Sequence, residues 1–359
     1  MKTKIAYVIP TLSLGGAEKQ QINILNGMDG ERYEIKLFVL KNKTQLLPQL
    51  KNKNVVVEIC DINSLRSISA MFKFIKNIKD FNPDIIHTHM YNANILARLL
   101  KLFLPKSKII NHYHGMSQWM SKPKLFLDKV TSSLVDRFIV VSQKSFDLRL
   151  SREKYQKDKI ELLYNSVDLN PATETIEKKN NLTIGMASRL IPLKNIEGAL
   201  FMISELLKKG IKLQLIVAGD GPQKEKLLSY VEELEIAQQV TFLGFVSEME
   251  VFYNQIDIYC ISSLTEDLPL SVIEAMVTGK PVIASNIGGI PGIVNNVPCT
   301  MLVDDFFDLK EIDAVSVFLK NLELNECREK LVDYAMSNFD NQAYCAKLVH
   351  IYDDILESR

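Results

Sequence analysis

Short apolar runs alternate with helix-patterned stretches along nearly the whole chain, and this rhythm limits the fold more than any other feature. Apolar runs at residues 5–9, 35–40 and 55–59 are interleaved with helical patterns at 16–28 and 68–78. Further strand candidates lie at 84–87, 108–111, 137–141 and 160–163. The rhythm resumes at 182–186, 213–218, 240–243, 258–261 and 281–284. Such alternation is the pattern of βαβ units and a parallel sheet. Between the two series, residues 170–181 are polar and carry Pro171, which marks a linker. A length of 359 residues is long for one core and suits two. Each side then holds its own doubly wound sheet. The tail from 309 to 359 reads as helical throughout, and there is no internal repeat or low-complexity tract.

The apolar fraction of 47% implies a packed globular protein and excludes a disordered one. No apolar stretch approaches the roughly 18–20 residues that a membrane-crossing helix needs. The start, MKTKIAYVIP, runs into LSLGGAEKQQ and reads as a first strand, not a signal peptide. Five cysteines are scattered without metal-type spacing, so reduced thiols and a cytoplasmic setting are expected. A net charge of zero hides a division. Residues 1–170 hold 27 Lys+Arg against 15 Asp+Glu, leaving 16 against 28 in the remainder. A basic N-terminal half suits nucleic acid, an anionic membrane or a phosphorylated substrate. No nucleic-acid reading motif is present, so a nucleic-acid partner is not expected.

Residues 262–289, SSLTEDLPLSVIEAMVTGKPVIASNIGG, carry the densest chemical signal. Glu266 and Glu274 stand eight positions apart. Between them Pro269 is suited to the first turn of a helix, and Thr278-Gly279 to its end. A helix N-terminus favours a phosphate through its free N–H groups and positive potential. Carboxylates on each side accept hydrogen bonds from hydroxyls and repel phosphate. The whole suits a diphosphate joined to polyhydroxyl groups. The blander reading is a surface glutamate before an ordinary amphipathic helix.

This stretch resembles the signature loop of retaining, nucleotide-sugar-dependent glycosyltransferases of the GT-B fold, in glycosyltransferase family four. The chain keeps Glu266, Pro269 and Glu274, and has Asp267 and Leu268 where the family usually has Gly and an aromatic. The resemblance implies two Rossmann-like domains with a cleft between them and a last helix crossing back. It gives an acceptor domain at 1–169, a donor domain at 170–340, and a returning helix at 341–359. Other elements match the same family. Ser188-Arg189 to Lys194-Asn195 has its Arg–Lys spacing, suited to neutralising a departing diphosphate; the alternative is two solvated surface cations. Leu14-Gly15-Gly16 follows the first strand, where the family places Gly16 near the donor diphosphate; a simple tight turn is the alternative. Asp220 lies in a Gly-rich turn at 217–222 that serves as a fold marker. Asn165-Ser166-Val167-Asp168 and Gly288-Gly289-Ile290-Pro291 support the register, with Gly292 replacing a usual Glu.

Four of the five histidines cluster: His87 and His89 after one strand, His112 and His114 after the next. A metal site is weakly supported without a carboxylate partner. His87 and His112 read as structural, satisfied by backbone. The resemblance places His114, within a His-Gly element, near the transferred sugar, with His89 as the lesser candidate. Phe245, in the loop beside the expected nucleotide base, either stacks or, by the preferred reading, packs.

The expected activity is retaining transfer of a hexosyl group without a metal. His114, Glu266, Arg189 and Lys194 are the catalytic candidates. Gly15, Gly16, Phe245, Leu270, Ser271, Glu274 and His89 are the substrate-binding ones. No cofactor is called for, and a UDP-sugar is expected ahead of a GDP-sugar as co-substrate. The acceptor is a saccharide, expected to be polyprenyl-linked, in bacterial surface polysaccharide assembly. The alternatives are an epimerase or phosphorylase of the same fold, or a catalytically silent partner subunit. Residues 98–130 mix lysines with Leu, Phe and Trp119. A loop with Met116, Trp119 and Met120 suits a lipid interface, placing the protein peripherally on the inner face of the cytoplasmic membrane. The blander alternative, preferred for 99–104 and 125–130, is that they are helix faces buried against the sheet.

Overall fold

A computed structural model describes residues 2–63, 67–115, 120–168 and 181–358. The chain divides into two compact units: Met1–Asp168 with Phe339–Arg359, and Leu169–Asn338. Apart from Asn181, the expected linker lies outside the described residues, as do Met116 and Trp119.

The first unit is built on seven strands: β1 (Thr3–Ile9), β2 (Tyr33–Val39), β3 (Val55–Ile59), β4 (Ile85–His89), β5 (Lys108–Tyr113), β6 (Arg137–Val140) and β7 (Ile160–Leu162). They pair in parallel in the order β3-β2-β1-β4-β5-β6-β7. Its helices are α1 (Gly16–Gly27), α2 (Ile68–Phe81), α3 (Tyr91–Leu100), α4 (Lys122–Thr131) and α5 (Gln143–Ser151). Strand side chains alternate between faces, so Ile5, Tyr7 and Ile9 of β1 join one apolar core while Ala6 and Val8 join the other. The strand order reverses between β1 and β4, and ligands of such sheets bind beyond the strand C-termini at that switch.

The second unit has β8 (Leu182–Ala187), β9 (Leu213–Ala218), β10 (Val240–Gly244), β11 (Ile258–Ile261), β12 (Val282–Ser285) and β13 (Thr300–Val303). Their order is β10-β9-β8-β11-β12-β13, again all parallel, with the switch between β8 and β11. Helices α6 (Ile196–Lys208), α7 (Lys224–Glu233), α8 (Met249–Gln255), α9 (Leu270–Val277), α10 (Pro291–Val294), α11 (Leu309–Lys320) and α12 (Leu324–Phe339) follow in chain order. The final helix, α13 (Asn341–Glu357), belongs to the first unit. It seals one face of that sheet with Tyr344, Leu348, Tyr352 and Ile355. The side chain of Asn341 donates to the carbonyl of Asn23 (2.8 Å) and accepts from Ser166 Oγ (2.7 Å), so the Asn-Ser-Val-Asp stretch is where α1 and α13 are tied together.

Several expectations need correction. Pro269 sits at the N-cap of α9, one position before the first helical residue, where its fixed φ of −73° still sets the entry. Short β13 was not anticipated, because Pro298 and Cys299 interrupt the pattern ahead of it. The cysteines are not all reduced. Cys299 and Cys327 form a disulfide, since the fold brings the loop before β13 onto the first turn of α12; Cys60, Cys260 and Cys345 remain free and buried. Of the apolar residues in 99–104 and 125–130, only Leu100 and Leu104 are buried as the blander reading required. Leu99, Leu102, Phe103, Phe126, Leu127 and Val130 are exposed.

The cause is visible in α4, whose only buried residue is Asp128. Asp128 lies in a core network with Arg98 (3.0 Å), Arg149 (3.5 Å), Tyr113 and Tyr155. Arg98 further donates to Asn111 Oδ1, the Asp128 carbonyl and Thr131 Oγ1. The Arg149 guanidinium lies 3.5 Å from the centre of the Tyr113 ring and pairs with Glu153. A buried charge must be paired and fully hydrogen-bonded, so the network fixes which side of α4 faces inward. The apolar side chains then face out.

Candidate functional site

The second unit gathers its charged groups where β8 and β11 end. After β8, Ser188 N donates to Ala218 O (3.0 Å) and Leu190 N to Asp220 O (3.0 Å), laying this loop against the end of β9. The glycines of the 217–222 turn permit that contact. A Cβ on Gly219, whose φ is +142°, would lie 1.8 Å from Ser188 O, and one on Gly221 would lie 2.4 Å from Leu190 O. Arg189 stands between these two anchor points, exposed and without an ion pair among the described residues.

Lys194 closes a short 3-10 turn stitched to the end of β11. Leu264 N donates to Leu193 O (2.8 Å), and Ser262 Oγ donates to the carbonyls of Lys194 (3.1 Å) and Asn195 (2.8 Å). The Lys194 ammonium pairs with Glu266 Oε1, which also accepts from Ser263 Oγ (2.9 Å). The loop bearing Glu266 rests on the Gly288-Gly289 turn. Gly288 has a φ of +59°, and a Cβ there would lie 1.7 Å from Glu266 O. Neither the Lys194–Glu266 pair, 72 positions apart, nor the part of Ser263 was visible in the sequence.

The two glutamates have different surroundings. Glu266 lies just ahead of α9 and keeps partial exposure. Glu274 is buried on α9 and accepts from Tyr253 Oη at 3.0 Å. Burial, followed by the Glu274 carboxylate, pushes the Tyr253 hydroxyl well above its ordinary pKa, so it stays a donor. No sequence signal marked Tyr253 as a partner. Leu270 and Ser271 occupy the first turn of α9, where backbone N–H groups are left over by the helix. Phe245, for which packing was the preferred reading, is instead 58% exposed beyond the edge strand β10. Among the described residues no strand pairs outside β10, so nothing in the sheet covers that edge.

In the first unit, Gly15 is the N-cap of α1 and Gly16 its first residue. The space in front of Gly15 is taken by Glu18: a Cβ there would lie 2.4 Å from Glu18 Oε2. The Glu18 carboxylate accepts from Thr11 Oγ1 and Ser13 Oγ, both at 2.8 Å. An acidic group therefore already faces this helix start.

The histidines at the ends of β4 and β5 form a stack. Ring centroids are 4.8 Å apart for His87–His89, 4.7 Å for His89–His112 and 4.2 Å for His112–His114. His89 Nδ1 and His114 Nε2 are hydrogen-bonded at 2.7 Å, and His87 Nδ1 meets Tyr352 Oη at 2.6 Å. The expectation that backbone satisfies His87 and His112 fails. His87 is held by a tyrosine of α13, and neither nitrogen of His112 has a partner among the described residues. Burial pushes His87 and His114 down to about 3, and takes His89 and His112 well below the usual imidazole value. The stack is therefore neutral at ordinary pH. Ligand atoms of His87, His89 and His112 lie within 4.8 Å of one another. However, imidazole lone pairs lie in the ring plane. Rings only 20° apart, as in His87–His89 and His87–His112, aim those lone pairs side by side, not at one point. A zinc ion needs nitrogens at about 2.0–2.1 Å around a common centre. The stack does not fit one.

Family comparison matches both halves of the chain. Residues 170–336 fit the model of Glycosyl transferases group 1, and residues 14–171 that of Glycosyltransferase Family 4. The chain belongs to these glycosyltransferases. Among similar proteins is the Escherichia coli UDP-Gal:alpha-D-GlcNAc-diphosphoundecaprenol alpha-1,3-galactosyltransferase, 23% identical over 92% of this chain and 93% of the relative. Another is a Campylobacter jejuni alpha-1,4-N-acetyl-D-galactosaminyltransferase named for a PP-undecaprenol-linked acceptor, 26% identical over 76% of each chain. Among solved structures, Anabaena HepE in complex with UDP and glucose superposes with a TM-score of 0.82 at 18% identity, over 98% of this chain and all of that one. The glycosyltransferase has the GT-B fold of such structures. Among the described residues no helix is long and apolar enough to cross a membrane.

Proposed function

We propose that this glycosyltransferase moves a hexosyl group from a UDP-sugar, ahead of a GDP-sugar, to a polyprenyl-linked saccharide, with retention and without a metal. The setting is bacterial surface polysaccharide assembly, at the inner face of the cytoplasmic membrane. The observation that carries the reading is the cationic group at the strand ends. Arg189 is exposed without a counter-ion among the described residues, and Lys194, five positions on, is shared with Glu266 just ahead of α9. The relatives' names supply the donor and acceptor classes: one names UDP-Gal, and both name an undecaprenyl-linked saccharide.

In this reading the diphosphate meets the N–H groups of Leu270 and Ser271, where the helix end favours an anion. Arg189 and Lys194 stabilise the charge that develops on the leaving diphosphate, a role that fixed cations perform without reorganisation. Glu266 accepts from sugar hydroxyls, released in part from Lys194 as the phosphate takes that cation over. Glu274 receives the ribose hydroxyls, and Phe245 offers its open face to the base. Gly15 and Gly16 border the diphosphate. His114, oriented by His89, hydrogen-bonds the saccharide. The bond from the anomeric carbon to the diphosphate breaks while the acceptor oxygen bonds to the same face. The acceptor proton passes to the departing phosphate oxygen, so no covalent nucleophile is required.

The test is a thermal-shift panel of UDP-, GDP- and ADP-sugars in EDTA, followed by transfer to a lipid-linked acceptor and NMR of the product anomer. Stabilisation by UDP-sugars and a product with the donor's configuration are expected. Donor conversion in the absence of acceptor would instead indicate an epimerase. An absolute requirement for a divalent ion would remove the proposed role of the two cations.

A further inference from the structure

Helix α4 and the end of α3 expose a surface that the transfer reaction does not use. Leu102 is 77% exposed, Phe126 69% and Val130 59%, with Leu99, Phe103 and Leu127 beside them. Hydrogen bonds set the two helices next to each other, while the Lys79 ammonium of α2 lies 5.7 Å from the centre of the Phe103 ring. Tyr91 Oη donates to Lys124 O (3.1 Å), and Arg98 donates to Asp128 O (2.7 Å) and Thr131 Oγ1 (2.8 Å), so α3 and α4 run side by side in the same direction. On the two helices and the turn after α3 the exposed charge has one sign. Lys106, Lys122, Lys124 and Lys129 are exposed and carry no ion pair among the described residues. The only acidic residue on either helix is Asp128, which is buried.

We infer that the α3–α4 face docks on an anionic lipid surface. A helix with apolar side chains on the outward side and lysines at their flanks lies in a bilayer interface, its lysine stems extending the apolar contact while the ammonium groups stay with the headgroups. The occupant follows from charge. A second copy of this chain would oppose lysines to lysines. A nucleic acid would leave the apolar side chains without a dry partner. The buried Asp128 network supports the same conclusion, because a salt-bridged anchor holds α4 in place without using its apolar residues. This inference rests on the membrane setting proposed above and assigns it a surface.

The full-length protein is tested by co-sedimentation with vesicles of phosphatidylglycerol and phosphatidylcholine, and with phosphatidylcholine alone. Binding only to the anionic vesicles, weakened by salt, is expected. Lys122→Gln with Lys124→Gln and Lys129→Gln weakens partition by about fivefold per lysine. Phe126→Ser with Leu127→Ser and Val130→Ser abolishes it, whereas Leu228→Ser, an exposed apolar residue of the other unit, changes nothing. Circular dichroism and transfer to a short-chain, water-soluble acceptor show that the variants are folded and active. Anionic binding that survives both triple substitutions overturns the assignment, as does absence of anionic binding in the parent. A dimer in gel filtration that the serine variant dissolves would assign the face to a second copy and also overturn it. Vesicle binding without any sugar transfer leaves this surface standing and removes the proposed reaction instead.

Discussion

Both units carry polar side chains toward the C-terminal ends of parallel strands, within β4 and β5 in the first and beyond β8 and β11 in the second, and treat them in opposite ways. In the first unit His87, His89 and His112 of β4 and β5 are buried, stacked and neutral, and the arginines of α3 and α5 are locked into a core network with Asp128. In the second unit Arg189 stays exposed, and Lys194 is shared with a glutamate that remains partly open. Charge that is fully paired inside a core has no capacity left for a ligand; it fixes orientation. Charge held at a rim by backbone contacts is available to an anion. The contrast separates cations that build the fold from cations that can do chemistry, although both kinds look alike in sequence.

The largest effect that would break this contrast is on stability. Asp128→Ala leaves Arg98 and Arg149 buried without their shared carboxylate, and is expected to cost about 3–5 kcal/mol in urea denaturation. A loss no greater than that of an ordinary surface substitution would show that the network is not what holds α4. Next comes Arg189→Ala, expected to reduce turnover by about 10²–10³-fold while leaving the melting temperature unchanged. Near-normal turnover in that variant would remove Arg189 from the mechanism.

The histidine stack gives a pH test. Its folded-state values lie below the unfolded value of 6.5, with His87 and His114 at about 3. The stability tied to the neutral form is therefore fully present above about pH 6.5 and is lost as pH falls from there toward the folded values. Each such histidine contributes a slope of about 1.4 kcal/mol per pH unit within that window. His87→Gln should flatten the fall in urea midpoint between pH 7 and pH 5, and an unchanged slope would mean that the ring is already charged in the fold. The smallest expected change is Phe245→Ala. It should leave stability within about 0.5 kcal/mol and weaken UDP binding severalfold by calorimetry, while unaltered affinity would mean that the exposed ring does not meet the base.

Most strands were legible because an apolar run between turn formers has few other uses; 213–218 and 258–261 match β9 and β11 residue for residue. The strand-end motifs were legible for a related reason. Glycines at 219, 221 and 288 are demanded by backbone-to-backbone contacts that any side chain would obstruct. What could not be read was pairing across the chain. Lys194 with Glu266, Tyr253 with Glu274, and Cys299 with Cys327 each depend on which loops the sheet brings together. The outward face of α4 was misread for a different reason. Apolar residues in a helix normally face a core, and only the buried partners of Asp128 show that this helix is held the other way round.

Helix α13 lies last in sequence but completes a core that begins with β1: Tyr352 bonds to Tyr7 at 2.7 Å, and Leu348 and Ile355 lie in the same cluster. While the ribosome is still making the second unit, the core that α13 shares with α1 lacks Tyr344, Leu348, Tyr352 and Ile355. The first unit therefore has its full core only once the second has been made.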